Sequence, residues 1–356
     1  MDGLNPGDPG IGLLAGAVAG PPSREILLVC CGDVPSVGDG ALRLVLDLRE
    51  LQHARTRTLP PDANLEAEGP FAHALVWPRP HLGKDFSTWC LARGALALRP
   101  GGSLWCAVRK AKGADSLAER MVALMGEVDV VARDRGHRLL RSRRTEAMDP
   151  ARARAWVEAE YVIEDPALPG LALRSGPGVF SRRELDAGTR VLIEHAERRA
   201  ATPRGVIDLG CGVGPLSLWA GTRWPAAQVL AVDTNLRAVA MAQGNASRHG
   251  LAERVRVLPS DGLPRREEAE AMGLRTAVGL AVAPDLALVN PPTHAEPEVL
   301  GRFAEDLRQW LAPGGVAMVV VNRPGRMTEQ LRRAGAVVEP FEYPGYHVLE
   351  ARWPAA

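Results

Sequence analysis

Lysine is nearly absent from this 356-residue chain. Of 43 basic residues only Lys84, Lys110 and Lys112 are lysines, which leaves forty arginines. Almost every cationic contact therefore presents a planar fork suited to phosphate and to stacking. An excess of either charge is missing as well: 43 basic residues face 42 acidic ones, a formal net charge of +1. That excludes a uniformly basic surface that coats polyanions, though not a local basic patch. Cysteine is sparse, five in all, with Cys30 and Cys31 adjacent and no Cys-x-x-Cys pair. No disulfide framework and no metal site is expected, and the composition suits a reducing compartment. The apolar run Ile11–Gly20 is too short to span a bilayer. It follows Asp2 and Asp8 rather than basic residues and does not read as a secretory signal. The expectation is a soluble cytoplasmic protein with a flexible tail over residues 1–23.

What the chain does have is an internal repeat. Residues 74–81, Ala-Leu-Val-Trp-Pro-Arg-Pro-His, match residues 287–294, Ala-Leu-Val-Asn-Pro-Pro-Thr-His, at five of eight positions. At the same offset of 213, Leu98-Arg-Pro-Gly-Gly102 faces Leu311-Ala-Pro-Gly-Gly315. A weaker match pairs Ile26–Pro35 with Val206–Pro215. Three matches in one order indicate a duplicated domain. In the second half the β-branched runs Gly205–Leu209, Gln228–Asp233, Val255–Pro259, Leu286–Asn290 and Val316–Val321 alternate with helical patterns at Pro215–Arg223, Leu236–His249 and Pro297–Leu311. This alternation predicts an α/β fold with two doubly wound, mainly parallel sheets. The expected division is a tail at 1–23, a first domain at 24–146, a linker at 147–164 and a second domain at 165–356.

Asp208-Leu-Gly-Cys-Gly-Val-Gly214-Pro215 ends a predicted strand and opens a helix. Its Gly-x-Gly-x-Gly spacing differs from the Gly-x-Gly-x-x-Gly of dinucleotide folds. An Asp before the loop suits a ligand ammonium group and would repel a pyrophosphate. Asp233 ends the next strand, where a carboxylate can accept from ribose hydroxyls. Asp261 follows the third strand and can hydrogen-bond an adenine amino group, although Ser-Asp-Gly is also ordinary turn chemistry. A glycine turn followed by carboxylates at two successive strand ends describes a pocket for S-adenosylmethionine. Asn290-Pro-Pro-Thr-His294 then closes the fourth strand. The Asn290 amide oxygen and the Pro291 carbonyl form two acceptors held rigid by the proline rings. Such a pair can bind an exocyclic amino group and draw its lone pair out of conjugation. In-line positioning then suffices, and no strong general base is needed.

In these motifs the second half resembles the Rossmann-like S-adenosylmethionine-dependent methyltransferases that carry Asn-Pro-Pro. The whole chain resembles the bacterial ribosomal RNA guanine-N2 methyltransferases with two tandem copies of that domain. Gly176-Pro-Gly-Val-Phe-Ser181 with Leu185-Asp-Ala-Gly-Thr189, His294, and the degenerate first copy carry the narrower match. The resemblance implies that Asp208, Gly210, Gly212 and Gly214 line the methionine side of the cofactor, with Phe180 helping to cover it. It assigns the ribose to Asp233, the adenine to Asp261, and the target amino group to Asn290 and Pro291. Pro292, Thr293 and His294 would meet the base. Thr293 departs from the family, which usually has an aromatic residue there; Phe180 and His294 are alternative stacking partners. In the first copy Leu28, Cys30 and Trp77 replace Asp208, Gly210 and Asn290, so that copy is expected to be a scaffold or an RNA-docking module.

The run Arg133–Arg144 holds six Arg in twelve residues. Its Arg141, Arg143 and Arg144 are candidates for RNA phosphates, the alternative being a solvated edge strand with Leu139 and Leu140 turned inward. Trp77 is expected to pack within its domain. The expected activity is methylation of a guanine N2 amino group in ribosomal RNA, preferably of the small subunit, with S-adenosylmethionine as cofactor. A monomer is compatible with the sequence, which does not fix the oligomeric state. Two rivals remain: transfer to another amino group (adenine N6 or a protein glutamine), and a non-catalytic RNA-binding protein that keeps the cofactor pocket.

Overall fold

The computed structural model describes residues 8–18, 20, 22–51, 56–65, 67–264, 283–292 and 295–354. The chain divides into two units, one spanning residues 2–160 and the other 161–356, with Gly176–Gly178 clustering with the first.

The first unit is built on β1 (Ile26–Val29), β2 (Leu42–Leu44), β3 (Arg57–Leu59), β4 (Phe71–Val76), β5 (Leu98–Arg109), β6 (Asp129–Asp134) and β7 (His137–Arg143). Its helices are α1 (Pro9–Ala17), α2 (Gly83–Ala97), α3 (Ala114–Met125) and α4 (Pro150–Val157). After the two-stranded ribbon of β8 (Tyr161–Ile163) and β9 (Leu173–Ser175), the second unit repeats the scheme. Its strands are β10 (Gly205–Leu209), β11 (Gln228–Asp233), β12 (Val255–Pro259), β13 (Leu286–Val289), β14 (Val316–Val321), β15 (Val337–Tyr343) and β16 (Tyr346–Arg352). Helices α5 (Ala187–Arg199), α6 (Pro215–Arg223), α7 (Leu236–Arg248), α8 (Pro297–Trp310) and α9 (Pro324–Arg333) lie between them.

The two sheets share one strand order, β3-β2-β1-β4-β5-β7-β6 and β12-β11-β10-β13-β14-β16-β15. Five strands of each run parallel, and the closing hairpin is antiparallel. The central strands read as continuous apolar runs because both faces are covered. Ile26–Val29 and Leu286–Val289 are buried at all four positions. The order reverses between β10 and its neighbours β11 and β13, a topological switch point that opens a crevice at the carboxyl ends of the strands.

Two segments depart from the sequence reading. Residues 9–17 form α1 rather than a flexible tail. Asp8 caps the helix by accepting from the Gly10 N–H, Pro9 fits the first turn, and Ile11 and Leu14 are fully buried against the first sheet. Gly10 lies so close to Trp77 that a Cβ would sit 2.2 Å from its ring. Within the expected linker 147–164, Asp149 caps α4 through the Arg152 N–H, and Ala153 is buried in the first unit's core.

A buried polar network ties α5 to β16 in the second unit. His195 and Glu350 are 0% and 1% exposed and lie 3.0 Å apart. Arg199 and Arg352 complete the Glu350 carboxylate, and the Tyr343 hydroxyl meets the other nitrogen of His195 at 2.9 Å. Glu350 only accepts, so Nε2 of His195 carries the proton and Tyr343 donates to Nδ1. Burial holds the His195 pKa below its usual value, against the opposing pull of Glu350. Burial pushes the Glu350 carboxyl up, but hydrogen bonds from Arg199, Arg352 and His195 prevail and hold it low. Glu350→Ala strands three donors and is expected to cost about 3–5 kcal/mol of stability, measured by urea unfolding. A loss under 1 kcal/mol contradicts this account.

Candidate active site

Past β10 the backbone turns through Gly210, Gly212 and Gly214 at φ values of 85°, 55° and 94°. Side-chain-bearing residues rarely adopt this region, which accounts for the glycine at each position. The turn is clamped to the end of β11. The N–H groups of Gly210 and Cys211 donate to the Val232 carbonyl at 2.9 and 3.0 Å, and that of Gly212 to Asp233 Oδ2 at 2.8 Å. Among the described residues a Cβ at Gly210 or Gly212 would meet nothing within 4 Å, whereas at Gly214 it would strike Leu218 at 2.7 Å. The first two glycines thus present bare backbone that a ligand can approach closely, and the third seats the turn on α6.

Asp233 braces this loop and also accepts from the Asn235 N–H at 2.8 Å, so the carboxylate expected at the ribose organises two stretches of backbone, the glycine turn and the entry to α7. Asp208 is 1% exposed. The Ser217 hydroxyl donates to its Oδ2, while Oδ1 has no partner among the described residues. Burial pushes this carboxyl up to about 7, with the Ser217 hydroxyl opposing and the charge of Asp233 adding. An enclosed carboxylate with an orphaned oxygen beneath a glycine cradle suits a cationic ligand, which would act on it through the field more than by contact. Asp261, just beyond β12, is ion-paired to Arg302 of α8 at 2.7 Å, so a bound adenine would share that carboxylate with the guanidinium. Phe180 is 67% exposed beside Ser181, whose φ is 46°.

Asn290 follows β13 at the same sheet edge. Its Nδ2 donates to Asp186 Oδ2 at 2.8 Å and to Thr189 Oγ1 at 2.9 Å. A carboxylate only accepts, so these contacts fix which end of the amide is nitrogen. The amide oxygen is thereby turned away as an acceptor, beside a buried Pro291. Pro292 is exposed, and its carbonyl accepts from Ala295 N–H at 2.9 Å. Thr293 and His294 lie outside the described residues.

Asp186 and Thr189 are the functional side chains missed at the sequence level. They sit in the Leu185–Thr189 segment, which carries part of the family resemblance but to which the sequence assigns no side-chain role. Asp186 Oδ2 also caps α5 through the Thr189 N–H at 3.0 Å. Asp186→Ala is expected to lower kcat about 10–100-fold, at an unchanged cofactor Kd, and to cost about 1 kcal/mol of stability as a lost cap. Asp186→Asn, whose oxygen can keep both contacts, should restore most of both. Wild-type kcat in the alanine variant rules out the orienting role.

The first unit keeps the strand ends and fills them with ion pairs. Cys30, in the place of Gly210, holds φ 50°. Arg79 donates to the Cys30 carbonyl at 3.3 Å and pairs with Glu50. Arg43, 2% exposed, pairs with Asp33. Trp77, in the place of Asn290, packs against His137 with ring centroids 6.1 Å apart. The arginine run forms the edge hairpin β6–β7, with Leu139 and Leu140 buried. Arg144 departs from its expected role: its guanidinium binds the carbonyls of Leu96 and Leu98 at the end of α2. Arg141 pairs with Asp129 at 2.7 Å and lies over Trp105, while Arg143 is exposed with no partner among the described residues.

A parallel sheet of this order, a glycine cradle after its first strand, and a rigid pair of acceptors after its fourth define a Rossmann-like methyltransferase. The chain belongs to the methyltransferase small domain family, whose model matches residues 170–350. It is 30% identical to the ribosomal RNA large subunit methyltransferase G of Pseudomonas paraeruginosa over 94% of this chain and 84% of that protein. It is also 30% identical to the ribosomal RNA small subunit methyltransferase C of Chromohalobacter salexigens, over 70% of this chain and 68% of that protein. With the large subunit methyltransferase G of Photobacterium profundum, at 30% identity, the match covers 52% of this chain and spans about half of that relative, 46%. Among solved structures, the T. thermophilus 16S rRNA N2 G1207 methyltransferase in complex with AdoMet and guanosine superposes with a TM-score of 0.75 at 23% identity. That match covers 98% of this chain and 92% of the other, and shows the shared two-unit fold. Among the described residues no helix is long and apolar enough to cross a membrane.

Proposed function

We propose that this protein transfers a methyl group from S-adenosylmethionine to the exocyclic N2 amino group of a guanine in ribosomal RNA. The observation that carries the proposal is the locked Asn290 amide, whose nitrogen is held by Asp186 and Thr189 so that its oxygen and the Pro291 carbonyl remain as paired acceptors. Relatives named for ribosomal RNA methylation, aligned over as much as 94% of the chain, support the choice of RNA.

In this reading the second domain, 165–356, is catalytic. The cofactor supplies a methyl group already activated on a sulfonium. Gly210 and Gly212 cradle its amino-acid end under the field of Asp208, with Gly214 seating the turn that holds them, Asp233 serves the ribose, Asp261 the adenine, and Phe180 covers the site. Asn290 and Pro291 accept the two amino hydrogens of the guanine and so free the nitrogen lone pair for in-line attack. The base leaves its stack to reach them, at a cost of a few kcal/mol. Pro292, Thr293 and His294 line its path. The first domain, 24–146, has its own strand ends filled by Arg43 and Arg79 and acts as a scaffold that docks RNA, with Arg143 and the outer part of the arginine run on phosphates. The protein works in the cytoplasm.

The test is transfer of labelled methyl to small subunits, large subunits and deproteinised rRNA from cells lacking the protein, with the product nucleoside identified by mass. Relatives of both subunit names align, so both are arms of the experiment. N2-methylguanosine that vanishes with Asn290→Ala supports the reading. Label in another nucleoside or in protein overturns the guanine assignment, and no label despite cofactor binding overturns the enzyme.

A further inference from the structure

We propose that a cavity beside Pro291 is a phosphate subsite for the RNA strand bearing the target base, with Arg323 and Arg326 as its anion-binding residues. This rests on the RNA-methyltransferase reading above and adds to it a second binding locus within the catalytic domain.

The cavity encloses about 620 Å³ at the carboxyl ends of β13 and β14, enough for a nucleotide. Pro291, Leu300, Val320 and Met327 give it apolar walls, and Arg323 and Arg326 stand on it from the turn into α9. Both arginines are exposed, and among the described residues neither has a hydrogen-bond or ion-pair partner. Arg332, near the far end of α9, is likewise exposed without a partner among the described residues, but it does not line the cavity, and other nearby arginines are paired. Arg302 is paired with Asp261, Arg308 with Glu305, and Arg333 with Glu329. The acid on α9 itself is thus already taken by the far end of the same helix.

Two uncompensated guanidinium forks over an apolar wall match the chemistry of a nucleotide, with a base or sugar face below and a phosphate above. Continuity with Pro291 selects the occupant. A base whose amino group reaches Asn290 carries its own backbone phosphates, and the cavity shares Pro291 and Pro292 with that path. The subsite would thereby grip the strand at the point where the base is extruded. An acidic peptide is the competing occupant and would not need the apolar wall.

The experiment uses the full chain with Arg323→Ala, Arg326→Ala, the double variant and the double Arg→Lys variant. Binding of deproteinised small-subunit rRNA is measured against salt concentration, a readout that needs no turnover. The double alanine variant should flatten the slope of log K against log[salt] by about 1.4, roughly 0.7 for each phosphate contact to a single strand. It should raise the KM for RNA about tenfold while leaving kcat and cofactor Kd unchanged. The lysine variant should keep the slope and recover only part of the KM, because a point charge lacks the fork. An unchanged slope and KM in the alanine variant overturns the subsite, even where rRNA is methylated. Unmethylated rRNA with a flattened slope sinks the proposed activity and leaves the subsite standing. Selective protection of the cavity by an acidic peptide and not by RNA reassigns it.

Discussion

Asn290→Ala is expected to lower kcat for methyl transfer by about 10²–10³, the size of effect seen when one preorganised hydrogen-bonding group is removed from a reacting centre. Cofactor affinity should be preserved, because the glycine cradle and Asp233 are built on β10 and β11 and make no use of the amide. Asn290→Asp gives a sharper test. The side chain is nearly the same shape, but its nitrogen becomes an oxygen within 2.8 Å of Asp186 Oδ2. Two carboxylates at that distance cannot both ionise, so one pKa rises. When the introduced carboxyl is protonated it can donate to Asp186 and still present an acceptor to the base, as the amide does. When it is ionised it is expelled from the site. Residual activity of this variant should therefore rise as pH falls and disappear as pH rises through the elevated pKa. A flat pH profile for Asn290→Asp, or a wild-type kcat for Asn290→Ala, contradicts the acceptor role.

The parts of this site that were legible in the sequence are those fixed by local chemistry. The strands at Gly205–Leu209, Gln228–Asp233, Val255–Pro259 and Val316–Val321 stand where the apolar runs place them, and β13 ends one residue earlier than expected. Parallel strands buried on both faces write themselves as unbroken apolar runs. The glycine turn was visible because glycine accepts positive φ at little cost, whereas side-chain-bearing residues rarely adopt it. The orienting pair Asp186 and Thr189 was not, since the partners lie 104 and 101 residues from Asn290 and nothing local signals a contact at that separation. Helix α1 looks like a tail in the sequence because a Gly/Ala-rich run of nine residues carries little periodicity. Its signal was the Asp8-Pro9 cap, and its stability comes from burying Ile11 and Leu14. Arg144 illustrates a different limit: composition marks a cationic run but does not tell a surface arginine from one that caps a helix from within.

The duplication itself explains why one fold can keep two fates for the same edge. In both units the carboxyl ends of the strands would leave polar backbone and charged side chains needing partners. The first unit satisfies them internally with Arg79–Glu50 and Arg43–Asp33. Among the described residues, the second leaves Asp208 Oδ1 without a partner and two glycines facing open space. A site that binds a ligand holds back interactions that would stabilise the free protein, and that difference is measurable.

Asp208→Asn should therefore stabilise the free protein and weaken the cofactor together. The folded-state pKa of Asp208, about 7, lies above the ordinary carboxyl value of 3.8. Below about pH 4 the group is protonated in both the folded and the unfolded chain and contributes no penalty. Between about 4 and 7 the unfolded chain releases the proton while the folded one retains it, so stability falls as pH rises. Above 7 both are ionised and the full penalty of a buried, half-partnered charge remains. Asparagine carries no such penalty. Its Tm should thus match the wild type near pH 4 and exceed it by several degrees at pH 8, with the difference opening between those limits. Cofactor binding should move the other way. A cationic ligand near Asp208 favours its ionised form, so the wild type should release a proton on binding between pH 6 and 7 and gain affinity across that range. The variant should bind about tenfold more weakly at pH 8 and release no proton from this position. Calorimetry in two buffers of different ionisation enthalpy reads the proton directly. Equal proton release from both proteins, or a variant less stable than the wild type at pH 8, would falsify the role assigned to Asp208.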